Sequence, residues 1–187
     1  MVNKNFLIAE AGINHNGNIK TAFKLVDTAK KSGADAIKFQ TYITEKRIKK
    51  KYKKIFNILK KCELKFNEFK LIKDYCKSKK ITFFSTPFDK ESVQYLDNIN
   101  VKLFKIASFD IGNYDLINEI LKTKKPTIVS TGMASLNEVD KVYKSFKLKK
   151  VKLSILHCVS SYPNKDETSY LSNINFLKKR YKTKIGI

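Results

Sequence analysis

The stretch "ITFFSTPFDKESVQYLDNINVKLFKIAS" (residues 81–108) holds the fold in miniature. Residues 81–87 are apolar until Ser85-Thr86-Pro87, which reads as a buried strand with a polar exit. Asp89 then stands as the N-cap of a helix over 89–98, and a second strand-like run covers 101–108. Strand, helix and strand with almost nothing between them make a βαβ crossover, whose strands are parallel.

The same alternation extends in both directions. Strand-like runs lie at 5–12, 35–42, 126–132 and 151–158, and another begins at 183–187. Helix-like runs lie at 18–32, 66–79, 113–124, 135–147 and 167–181. In the first helix Ile19, Ala22, Phe23, Val26 and Ala29 recur near the helical period, and Gly33 closes it. Asn113 reads as an N-cap, and "SLNE" (135–138) as a capping box. Such repetition allows a doubly wound sheet or a (β/α)8 barrel. No Gly-x-Gly-x-x-Gly turn follows the first strand, which counts against a dinucleotide-binding fold. The barrel demands that functional side chains sit where strands end. They do: Glu10 and Asn14-His15-Asn16-Gly17, Lys38 and Gln40, Thr86, Lys105 and Ser108, Ser130, and His157 to Tyr162. The expected fold class is therefore α/β of the (β/α)8 TIM-barrel type, incomplete, with about six βα units and the start of strand 7.

The 187 residues are 42% hydrophobic, enough for a real core. No apolar run approaches a membrane span, and the N-terminal stretch is too short for a signal peptide. Cys62, Cys76 and Cys158 lack metal-type spacing, so a reduced, cytoplasmic protein is expected. The net charge of +22 invites a nucleic-acid reading. Its carriers argue against it: arginine, the preferred reader of bases, occurs only at Arg47 and Arg180. Attraction of small anionic substrates suits the lysines better. Lys38 and Lys105 each interrupt an apolar strand, and a buried ammonium is costly unless paired. They reach solvent at the strand end, or aim inward at an anion, or one of them pairs with Glu10.

In order along the chain come "IAEAGINHNG", "ADAIKFQTY", "FFSTPFD", "FKIASFDI", "STGMAS" and "LHCVSSYP". This series resembles the N-terminal barrel of the sialic acid (N-acetylneuraminate) synthase family, over nearly the whole chain. The resemblance implies a cytoplasmic C–C bond-forming transferase of carbohydrate biosynthesis. Its partners would be phosphoenolpyruvate and an N-acetylated amino sugar of the N-acetylmannosamine type, giving a nine-carbon 2-keto acid. It implies that Glu10 and Lys38 are catalytic, Glu10 as the acid/base or water-orienting carboxylate. Lys38, Thr86, Lys105, Ser108 and Ser130 would hold phosphoenolpyruvate, with Asn14, Gln40, Ser160 and Tyr162 completing the substrate set. A divalent metal, manganese or magnesium, is expected for the family. Its two histidine ligands would lie beyond "KIGI", in a Ser-Asp-His motif and at the end of strand 8, and His157 would not be among them. A C-terminal antifreeze-like domain that lends an arginine to the partner subunit of a homodimer would also lie outside these residues. The expectation is that residues 1–187 are a partial N-terminal barrel, inactive alone. The alternative is a non-catalytic basic α/β module binding anionic polymers, with residues 46–61 as its contact helix.

Overall fold

The computed structural model describes residues 5–161 and 163–187. The chain divides into two compact units, Met1–Lys102 and Leu103–Ile187.

The first unit contains β1 (Ile8–Gly12), α1 (Ile19–Lys31), β2 (Ala36–Thr41), α2 (Thr44–Arg47), α3 (Lys53–Cys62), α4 (Phe66–Ser78), β3 (Thr82–Pro87) and α5 (Lys90–Asn98). β1 pairs with β2, and β2 with β3, all parallel and in sequence order. Every residue of β2 except Gln40 is buried, as expected of a strand covered on both faces. Its Ile37 and Phe39 share the core with Phe83, Phe84, Val26, Phe69, Ile72 and Leu96.

The second unit contains β4 (Phe104–Ile106), α6 (Tyr114–Lys122), β5 (Thr127–Ser130), α7 (Leu136–Leu148), β6 (Leu153–Leu156), α8 (Asn173–Arg180) and β7 (Lys184–Gly186). The pairs β4–β5, β5–β6 and β6–β7 are again parallel and sequential. In neither unit does the strand order reverse, so neither shows the switch point of a doubly wound sheet. Phe104, Ile106, Ile117, Ile120, Val129, Val142, Phe146 and Ile155 form its core.

The expected caps are all present. Asp89 accepts from the Ser92 amide, Asn113 from that of Leu116, and Ser135 forms the capping box with Glu138. Two departures concern helices. The lysine-rich segment after β2 folds as two helices, α2 and α3, with Tyr42, Leu59 and Cys62 turned into the core. The expected helix 167–181 is shorter, because Asp166–Thr168 forms a 3-10 turn and α8 starts at Asn173. Four side-chain hydrogen bonds within 164–169 hold that turn instead.

Gly17 ends the β1 exit at φ +73°, and a β-carbon there would collide with the Lys61 carbonyl oxygen of α3. Both the backbone angle and the close approach demand glycine. Gly17→Ala is expected to cost about 2–3 kcal/mol or more, read as a lower urea midpoint at unchanged slope.

Candidate functional site

In the first unit the register of β1 and β2 sets Glu10 beside Lys38. A bulge follows between Glu10 and Gly12, with Gly12 at φ +53°. Lys38 is 8% exposed, and its Nζ lies 2.7 Å from Glu10 Oε2. The ammonium also donates to Thr86 Oγ1 at 3.1 Å, so one buried cation joins the exits of β1, β2 and β3. The Glu10 side chain is 55% exposed, so the pair opens to solvent on the carboxylate side. Of the alternatives for the lysines, pairing with Glu10 is met by Lys38.

Gln40 is opposite Thr86 in the ladder and accepts from Arg47 Nη1 at 3.1 Å. Asp89 ties the segments after β2 and β3 together: it caps α5 and accepts from the Ile43 amide at 2.8 Å. Asn14 lies in the exposed turn after β1, where its amide is bonded to Ala11 and its carbonyl to the Asn16 side chain.

His15 is the buried residue of that turn, 1% exposed, with its ring 6.0 Å from that of Phe39. Its Nδ1 accepts from the Gly17 amide at 3.2 Å, which puts the proton on Nε2. Nε2 has no hydrogen-bond partner among the described residues. Burial pushes the His15 pKa down from 6.5 to about 4. The unfolded chain therefore binds this proton first, and stability present above about pH 6.5 is lost as pH falls toward 4. Between pH 7 and 4.5 the wild type is expected to lose about 2 kcal/mol more unfolding free energy than His15→Gln, measured by urea titration at each pH.

In the second unit Lys105 is 6% exposed and donates to the Ile106 carbonyl at 2.7 Å and to Ser130 Oγ at 2.5 Å. Ser108 opens the 3-10 turn that follows β4. Ser160 is exposed, and its Oγ closes on Gly132, where a β-carbon would sit 2.8 Å away. Tyr162 lies outside the described residues. The exits of β5 and β6 border a cavity of about 350 Å³, lined in part by Thr131, Gly132, His157, Cys158 and Phe176. His157 Nε2 is 2.8 Å from the Ser169 carbonyl oxygen, so the ring serves to hold the loop after β6.

Each unit by itself thus presents a buried lysine bonded to a hydroxyl at the end of a neighbouring strand. These are donors suited to phosphate and carboxylate oxygens. For the metal expected of the family, the residues do not fit. Among the described residues no three His, Cys, Asp or Glu side chains are grouped to hold an ion. Nor is any helix long and apolar enough to cross a membrane.

One residue escaped the sequence reading. Arg47 is one of only two arginines, and that scarcity is the one sequence signal that sets it apart. Its guanidinium lies 3.7 Å from the Phe88 ring centroid and 4.6 Å from that of Tyr42.

Parallel strand–helix repeats with charged and hydroxyl side chains at the strand exits are the construction of barrel-type α/β enzymes. The chain belongs to the NeuB family, whose profile matches residues 25–187. It is 43% identical over 182 residues to an uncharacterised protein of Methanocaldococcus jannaschii, covering 97% of this chain and 54% of that protein. It is 35% identical to the N,N'-diacetyllegionaminic acid synthase of Campylobacter jejuni, covering 98% of this chain and 60% of the relative. The crystal structure of N-acetylneuraminic acid (sialic acid) synthetase from Leptospira borgpetersenii, in complex with citrate, superposes with a TM-score of 0.95 at 41% identity. That match covers 98% of this chain and 64% of the other. The chain spans about half the length of the curated relatives it matches.

Proposed function

We propose that residues 1–187 are the N-terminal, incomplete (β/α)8 barrel part of a cytoplasmic synthase that condenses phosphoenolpyruvate with an N-acetylated amino sugar. The observation that carries this reading is the pair of buried lysines at strand ends, each bonded to a hydroxyl, in a chain of the NeuB family. Relatives named as legionaminic, pseudaminic and N-acetylneuraminate-9-phosphate synthases support the substrate class.

In this reading Lys38 and Thr86, and Lys105, Ser108 and Ser130, bind the phosphate and carboxylate of phosphoenolpyruvate. Carbon 3 of phosphoenolpyruvate attacks the aldehyde of the open-chain sugar. Water adds at carbon 2, and phosphate leaves with cleavage of the carbon–oxygen bond. Glu10 orients that water and takes its proton, and Lys38 holds the carboxylate in place through their ion pair. Asn14, Gln40, Ser160 and Tyr162 contact the sugar.

Calorimetric titration of phosphoenolpyruvate into the chain tests this. Saturable binding that persists in 0.2 M salt supports it. Binding of an anionic polymer that weakens steeply with salt, with no response to phosphoenolpyruvate, would favour the basic-module alternative. No observation here favours that alternative over the first reading: of the lysine-rich segment, Lys46 pairs with Glu91 and Lys60 with Glu45 and Glu63.

A further inference from the structure

Arg47 and Gln40 form an arrangement whose chemistry has only one sense. A guanidinium donates hydrogen bonds and accepts none. Gln40 must therefore turn its carbonyl oxygen toward Arg47 Nη1, 3.1 Å away, and leave its NH2 on the other side. On that side is Gly12: a β-carbon placed there would sit 3.7 Å from Gln40 Nε2 and 3.2 Å from Glu10 Oε1. The bare glycine thus leaves a space bordered by a donor amide and an acceptor carboxylate. Arg47 cannot easily swing away, because its planar head lies over the Phe88 ring and beside that of Tyr42. Phe88 follows β3, and Tyr42 follows β2 and donates to the Leu59 carbonyl at 2.9 Å.

We propose that Arg47 is a positioning residue that locks the Gln40 amide with its NH2 toward the sugar-binding space over Gly12. The proposal rests on the synthase reading above. It names what that space selects: a sugar group offering an acceptor oxygen to Gln40 next to a donor for Glu10, such as a hydroxyl or the amide of an acylamino group. With the amide flipped, two acceptors would stand side by side and repel the same oxygen. Phosphoenolpyruvate, assigned to the lysines, should not sense the change.

The test titrates N-acetylmannosamine and phosphoenolpyruvate separately into the wild-type chain, Arg47→Met, Gln40→Ala and the double variant. In parallel, the Gln40 side-chain amide is followed by ¹⁵N NMR. Arg47→Met is expected to weaken sugar binding about 5- to 10-fold, the loss of one hydrogen bond's worth of affinity, and to leave phosphoenolpyruvate binding within about twofold. The double variant should be no weaker than Gln40→Ala, since the proposal has Arg47 reach the sugar only through that amide. Equal losses for both ligands, additive losses, or unchanged sugar binding would overturn the proposal. Should the wild type bind neither ligand, the synthase reading falls, and the amide signal alone decides the locking. Slow-exchanging Gln40 NH2 protons that are lost in Arg47→Met uphold it, and identical signals in both proteins overturn it.

Discussion

The 187-residue polypeptide, assayed by itself with phosphoenolpyruvate, N-acetylmannosamine and manganese, is expected to release phosphate no faster than background. Among the described residues no three His, Cys, Asp or Glu side chains are grouped to hold a metal ion. The histidines do other work. His15 is buried with Nδ1 on the Gly17 amide, and His157 faces the Ser169 carbonyl. A Lewis acid contributes several kcal/mol to such a reaction, and every 1.4 kcal/mol of lost transition-state stabilisation slows it about tenfold. A deficit of at least about 10³-fold against a synthase of the same family follows, read in a phosphate-release assay. Turnover comparable with that synthase would show that the chain organises its chemistry from other residues, and Glu10 and Lys38 would have to be reassigned.

Replacing Lys38 or Lys105 by alanine is expected to weaken phosphoenolpyruvate binding by about 10- to 150-fold, the equivalent of about 1.5–3 kcal/mol for a charge-assisted hydrogen bond. Lys38 is the more informative of the two. Its partner Glu10 is half exposed and can be solvated when the ammonium is gone, so the fold should survive the change. Loss of binding with an intact circular-dichroism spectrum then isolates the cation. Changes below threefold at both lysines would remove them from the anion site. Lys105→Ala also strips a donor from the Ile106 carbonyl and from Ser130, so it should be read beside Lys105→Met, which keeps the stem.

Much of this was legible from pattern. Continuous apolar runs and period-3.6 hydrophobicity located the seven strands of the described residues and most of the helices, because local burial writes itself into local sequence. Caps at Asp89, Asn113 and Ser135 were readable because a cap is a contact between residues three apart. Strand ends were overestimated, as for 101–108 against Phe104–Ile106, since pairing with a neighbour stops before the apolar character does. The sequence offers 46–61 only as one contact helix; its division into α2 and α3 is masked by the density of lysines, which obscures the few positions, Leu59 and Cys62, that face inward.

The sequence by itself determined the class: a parallel α/β chain with cations, hydroxyls and a carboxylate at its strand ends. It determined this because strand and helix are set by spacing, and the strand end by where apolar residues give way to polar ones. Only the tertiary structure decided who bonds whom. Lys38 took Glu10 and Thr86 because the register put three strand exits side by side. Arg47 took Gln40 because two aromatic rings, from residues 42 and 88, met around its guanidinium. Residues 42 and 88 are far apart in the chain, and no spacing rule relates them. A hydrogen bond needs its atoms within about 3 Å, and for residues distant in sequence only the packed fold sets that distance.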